Sequence, residues 1–221
     1  MATEKVKTKQ LLTPEFTISF PQLFEKKVFV GQGPDSGRYS CVALFPDFEV
    51  INGKTVITRA GPAKWQERDR VRWQEIFDEL DRLAVDTFKE KMSKLIGSVK
   101  IPYHRGEEKS YSGYGPGVVF ITLASKVNQP QVVSNQRDSF GKFKPITSES
   151  GDMYAGCRVR AQVAPFANAQ WKSLSLGLNA IIKIDDGKRL DSRQSADEAF
   201  AEFAAEDSYD GAGAAASDDA F

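Results

Sequence analysis

Histidine occurs once in the 221 residues and cysteine twice. His104 would have to serve any His-dependent triad, and no Ser or Cys motif accompanies it. Cys41 and Cys157 lie in strand-like runs and form no C-x-x-C pair. A zinc site needs about four closely spaced ligands, so no metal is expected and buried reduced thiols are the simpler reading. No run of about 18 apolar residues exists, so no membrane-spanning helix is expected. The opening MATEKVKTKQ lacks an apolar h-region, which argues against a secretory leader. Gly113, Gly115 and Gly117 alternate with Tyr114, Pro116 and Val118, without the Lys-Ser/Thr that a phosphate loop requires. The pair Asp185-Asp186 sits at a turn rather than in a carboxylate cluster. Nothing assembles into a catalytic constellation, and the expectation is a non-enzymatic protein without cofactor.

The last 28 residues, Gln194 to Phe221, lack Lys and Arg altogether and hold eight carboxylates, ending Asp218-Asp219-Ala220-Phe221. The whole chain has 30 basic and 30 acidic side chains, so residues 1–193 carry +8 and the tail −8. The zero net charge therefore conceals a basic body joined to an acidic string. A basic surface attracts polyanions. An acidic, aromatic-tipped tail suits competition for that surface or docking to a partner. Its charge, Gly and Ala content predict disorder, giving the expected division into a domain, 1–193, and a disordered tail, 194–221.

What is present in the body is mainly β-pattern. Phe16 to Val30 reads as a strand broken at Pro21, and Gly31 to Gly37 as a loop. Arg38 to Phe45 is a strong strand, and Asn52-Gly53 marks a hairpin within Phe48 to Thr58. Ile76, Phe77, Leu80, Leu83, Ala84, Phe88, Met92 and Leu95 keep a 3.6-residue period, which predicts one long helix over Ala63 to Leu95 with Pro62 at its first position. Further strands are expected at Val99 to His104, Val118 to Lys126, Gln131 to Ser134, Tyr154 to Pro165 and Leu174 to Ile184. Loops are expected at Glu107 to Gly117, Arg137 to Pro145 and Pro165 to Ser173. Short strands around a single helix predict a small barrel or curled sheet.

Aromatic residues repeatedly stand beside basic ones. The instances are Arg38-Tyr39, Tyr103-His104-Arg105, Lys109 with Tyr111 and Tyr114, Arg137 with Phe140, Lys142-Phe143-Lys144, and Trp171-Lys172. Cations neutralise phosphates while rings stack on bases, at about 1–3 kcal/mol per base. Loop aromatics (Tyr111, Tyr114, Phe143, Trp171) are the better candidates, because loops seldom bury side chains. Arg158 and Arg160 alternate with Val159 and Ala161, so both lie on one face of a strand, either a solvated surface or a groove wall.

Two stretches carry a resemblance. Asp152-Met153-Tyr154-Ala155-Gly156-Cys157-Arg158-Val159-Arg160-Ala161 is one, and Gly177-Leu178-Asn179-Ala180-Ile181-Ile182-Lys183-Ile184-Asp185-Asp186-Gly187-Lys188-Arg189-Leu190 is the other. With Arg193 to Phe200, Ile18 to Phe24 and Arg38-Tyr39-Ser40, they resemble a family of phage single-stranded DNA-binding proteins over roughly residues 16–200. Where that family often continues its strand with Pro-Lys, this chain has Pro46-Asp47.

The resemblance implies an OB-like barrel and sequence-independent ssDNA binding in phage replication or recombination, in the host cytoplasm. It also implies a tail, with Asp218, Asp219 and Phe221 at its tip, that engages replication or recombination enzymes. A homo-oligomer is compatible with it. The competing class is a phage structural or assembly protein, since those also combine acidic tails with β-rich bodies.

Overall fold

The computed structural model describes residues 9–28, 33 and 36–191. The chain divides into units 1–190 and 191–221, and every described element belongs to the first. The expected acidic tail, with Asp218, Asp219 and Phe221, lies outside the described residues, as does most of the Gly31 to Gly37 loop.

Eleven strands are described. β1 is Leu11–Leu12, β2 Phe16–Lys27, β3 Arg38–Phe45, β4 Val50–Ile51, β5 Lys54–Thr55 and β6 His104–Arg105. β7 is Val119–Ser125, β8 Gln131–Arg137, β9 Phe143–Pro145, β10 Arg158–Asn168 and β11 Ser173–Asp185. The pairings β2–β3, β3–β7, β7–β11, β11–β10 and β10–β2 close into a ring. All are antiparallel except β7–β11. This is a five-stranded, OB-like barrel, and the protein is mainly β. Along β3 and β7 the alternation is strict. Cys41, Ala43, Phe45, Val119, Ile121 and Leu123 face the core, while Val42, Leu44, Phe120 and Thr122 face outward.

Two bulges reset that alternation. On β2, Phe16 and Ile18 are core residues, and an unbroken strand would put Phe20 beside them. Ser19 pairs with Val42 and Gln22 with Ser40, so Phe20 and Pro21 together oppose one residue of β3. Phe20 has φ 47°, its ring turns out of the barrel, and Leu23 becomes the next core residue. Pro21 thus bends the strand rather than ending it. On β11, the register shift around Asn179 moves the inward set from Leu174, Leu176 and Leu178 to Ile181.

The helix α1 spans Glu67–Phe88, shorter at both ends than its periodicity predicts. Pro62 does not open it. The Trp65 N–H bonds to the Pro62 carbonyl in a separate turn, and the helix begins after extended Gln66. Lys89 closes it in the left-handed region, with its N–H on the Val85 carbonyl. The apolar period outruns the helix because Met92 and Leu95 still reach the core from a 3₁₀ turn, Met92–Lys94, held by Asp81 Oδ1 on the Met92 N–H at 2.8 Å. Trp73, Ile76, Leu80, Leu83 and Ala84 form the buried face of α1, which packs chiefly on β10. Trp73 lies at the centre of an aromatic cluster with Phe45, Phe48, Trp65 and Tyr103, and donates its Nε1–H to the Thr58 carbonyl.

The β4–β5 hairpin turns on Asn52 and Gly53, both at positive φ, as an Asn-Gly type I′ turn requires. The expected strand at Val99 to His104 contracts to β6 and two isolated bridges, Val99 to Ile96 and Lys100 to Ser173. Part of the expected Arg137 to Pro145 loop is strand, because β8 turns at Asp138 to Gly141 and returns as β9. Among the described residues, no helix is long and apolar enough to cross a membrane.

Candidate nucleic-acid interface

The outward face of β2, β3 and β7 carries a continuous row of rings. Phe20 meets Tyr111 edge-on with centroids 5.3 Å apart, and Tyr111 meets Tyr114 at 5.8 Å. Tyr114 meets Phe120 at 5.3 Å, and Phe120 stacks on His104 at 5.0 Å. Phe20 is 49% exposed and Tyr111 56%, whereas Phe120 is buried beneath the row as its footing. Tyr114 is half-buried, and burial raises its hydroxyl pKa. Burial also lowers the pKa of His104, against the pull of nearby Glu108, so at neutral pH it enters the row as an uncharged ring.

The loop bearing Tyr111 and Tyr114 has no strand of its own, and side chains hold its base. Glu107 accepts the Thr55 N–H at 2.7 Å and the Thr55 hydroxyl, and that hydroxyl accepts the Gly117 N–H at 3.0 Å. Arg105 is tied to the same place, donating from Nε to the Thr55 carbonyl at 2.9 Å. Lys109 is exposed beside the row. Along the same β2–β3 ladder, Arg38 pairs in register with Lys27, and the Lys26 ammonium lies 5.7 Å from the Tyr39 ring.

The other predicted residues fall in two further places. Arg137 covers the Phe143 ring at 4.2 Å on the β8–β9 hairpin, whose turn is tied by Asp138 Oδ1 accepting the Phe140 and Lys142 N–H groups. Phe140 at its tip is 86% exposed, and Lys142 and Lys144 are exposed on the returning arm. Trp171, 69% exposed, sits at the β10–β11 turn beside Lys172. The Lys100 N–H bonds to the Lys172 carbonyl, and Gly97 to Lys100 and Gln170 to Lys172 line an open cleft of about 520 Å³.

Three of the predicted residues are buried or ion-paired. Tyr103 is 4% exposed, with Phe77 stacked on it at 5.5 Å and Trp73 at 5.0 Å, so its ring offers no face to a base. Arg160 lies between Glu15 and Asp69, at 3.4 and 3.3 Å, and ties α1 to the barrel. Arg158 is paired with Glu15. Arg160 is thereby engaged in internal charge balance, whereas the Arg158 side chain stays exposed beside its Glu15 partner. Conversely, Phe20, Lys26 and Lys100 belong to these surfaces and escape sequence reading. Pro21 within a strand pattern is the one signal that could have exposed Phe20. Among the described residues, no group of three or more His, Cys, Asp or Glu side chains is placed to hold a metal ion.

The family model for the ssDNA-binding protein of Enterobacter phage Enc34 matches residues 8–210. Among solved structures, the single-stranded DNA-binding protein from bacteriophage Enc34 in complex with ssDNA aligns with a TM-score of 0.55 at 16% identity, covering 86% of this chain and 97% of that one. The same phage protein in another structure aligns with a TM-score of 0.55 at 15% identity, covering 90% and 97%. At such identity the likeness speaks for the fold. No curated protein matches the chain at a significant level.

Proposed function

The chain belongs to the family of the Enterobacter phage Enc34 ssDNA-binding protein, and from that membership and its ring-lined face we propose that it binds single-stranded DNA without sequence preference. The observation that carries this reading is the row Phe20–Tyr111–Tyr114 on the outer face of β2, β3 and β7, exposed at Phe20 and Tyr111 and half-buried at Tyr114, with Lys109 and Arg38, Tyr39 and Lys26 on the same elements. Every base has a π-face, so stacking there tolerates any sequence, while the cations meet the phosphate backbone. The hairpin with Lys142, Phe143 and Lys144 and the turn with Trp171 and Lys172 offer two further exposed basic-aromatic surfaces to the strand. The protein acts as a binder rather than an enzyme, in phage DNA replication, recombination or repair in the host cytoplasm, alone or as a homo-oligomer.

The −8 tail, 194–221, has a second part in this reading. It competes with DNA for the +8 body, and its tip, Asp218, Asp219 and Phe221, recruits a replication or recombination enzyme. Removing residues 194–221 should raise affinity for an oligo-dT, most of all at low salt, and so steepen the salt response. Equal affinity of the two forms would remove the competition. Phe221→Ala should abolish recruitment of the phage polymerase or recombinase in a pull-down while leaving DNA affinity unchanged. Recruitment that survives would exclude the terminal ring as anchor. If neither the full chain nor the truncated form bound an oligonucleotide, the assembly-protein class would replace this reading.

A further inference from the structure

After β11 the chain does not simply leave the barrel. Residues 186–190 cross back over the segment preceding β10 in backbone-to-backbone contact. A Cβ on Gly156 would stand 2.2 Å from the Lys188 carbonyl oxygen, and one on Gly187 would stand 2.1 Å from the Gly156 carbonyl oxygen. Gly156 also has φ +119°, which L side chains rarely adopt. The crossing therefore requires hydrogen at both positions. It is pinned on each side. The Leu190 N–H bonds to the Ala155 carbonyl at 2.9 Å. The Tyr154 hydroxyl lies 3.0 Å from both Asp186 Oδ1 and the Gly187 carbonyl, and accepts the Gly187 N–H at 3.3 Å. Burial first, and the Asp186 hydrogen bond next, push that hydroxyl up to about 12, so it remains a donor throughout the physiological range. Arg189 lies over the Tyr154 ring at 4.2 Å.

The crossing delivers one side chain to the aromatic loop. A Cβ on Gly113 would lie 2.9 Å from both Leu190 methyl carbons and 3.2 Å from Leu44 Cδ1. Gly113, at φ +83°, thus lies against Leu190 and against Leu44 on the outer face of β3, in the stretch between Tyr111 and Tyr114. The Thr55–Glu107–Gly117 hydrogen bonds fasten the two ends of this loop, and Leu190 is the support at its middle.

We propose that Leu190, carried by the Gly156–Gly187 crossing, is a positioning residue that sets Tyr111 and Tyr114 for stacking on bases. The inference rests on the DNA-binding reading of the aromatic row, but its first consequence does not. Without the Leu190 side chain the loop loosens even with no DNA present.

The test uses the full-length chain with Leu190→Ala, Leu190→Met and Gly156→Ala. Hydrogen exchange is read at the Lys109 and Tyr114 amides, whose acceptors are the Gly106 and Tyr111 carbonyls at 3.0 and 3.1 Å. Leu190→Ala and Gly156→Ala should speed exchange across residues 109–116 by on the order of tenfold, leaving β3 and β7 amides unchanged. Affinity for oligo-dT should fall by about fivefold, a loss of the size of one weakened stack. Leu190→Met, which refills the contact, should restore both. Unchanged loop exchange in Leu190→Ala would overturn the proposal. So would equal acceleration in β3 and β7, because Leu190 would then stabilise the barrel at large. A loosened loop with unaltered oligo-dT affinity would keep the support and instead overturn the assignment of this loop to the DNA face.

Discussion

Tyr103 and Tyr111 stand close in sequence and end in opposite environments. Tyr103 is in the core, and its hydroxyl is buried without a hydrogen-bond partner. An unmade buried hydrogen bond costs about 1–3 kcal/mol. Tyr103→Phe should therefore leave stability unchanged or raise it by up to about 1 kcal/mol in urea unfolding, with no loss of oligonucleotide affinity. Weaker DNA binding by that variant would contradict the burial argument. The basic–aromatic pairing in sequence could not separate the two tyrosines. What separates them is that Tyr103 is drawn under Phe77 and Trp73 of α1, a long-range packing event with no local mark. Phe20 shows the reverse. Its even spacing from Phe16 and Ile18 reads as core, and only the bulge at Pro21 carries it to the surface. A left-handed backbone at a phenylalanine costs roughly 1–2 kcal/mol, a strain consistent with a functional placement.

Elements whose signals are local were legible. The Arg38 to Phe45 strand has the expected bounds, and the Asn52-Gly53 turn lies where its chemistry places it. The long helix was legible in kind but not in extent, because Met92 and Leu95 continue the apolar period from a 3₁₀ turn. The ion pairs of Arg158 and Arg160 were not legible, since their partners lie far away in sequence, at Glu15 and Asp69. The Arg160–Asp69 pair joins α1 to β10 with little solvent around it. Removing one member of a buried pair leaves an uncompensated charge and costs about 3–5 kcal/mol. Asp69→Ala should fall near the lower end, about 3 kcal/mol, because Glu15 still faces Arg160. Its urea midpoint should drop while the affinity of the folded protein for oligo-dT stays level. A variant that kept full stability would show that the pair does not anchor the helix.

At the scale of the whole molecule, the ring of five strands was foreseen as a small, OB-like barrel but without its strand pairings, and its closure depends on contacts between distant segments such as Phe16 with Val159. The β2–β3 and β3–β7 ladders bring Phe20 of β2, Phe120 of β7 and the loop tyrosines onto one outer face. The charge division was legible at once, because composition alone reveals +8 over residues 1–193 and −8 over the rest. Charge gives such a protein its reach toward a polyanion, and rings give it the preference for single over double strands, whose bases are already stacked. The two contributions separate experimentally, since phosphate contacts set the salt slope and stacking does not.

The most direct test is fluorescence anisotropy of a labelled oligo-dT of about 30 nucleotides, ample for one OB-type site, over a salt series with duplex DNA as competitor. Full-length protein is compared with the Phe20→Ala, Tyr111→Ala double variant. The account predicts tight single-strand binding that weakens steeply with salt. The double variant should bind at least about tenfold more weakly, at an unchanged salt slope. Equal affinity of the two proteins, or a loss confined to the salt slope, would contradict the claim that this ring-lined face holds the bases.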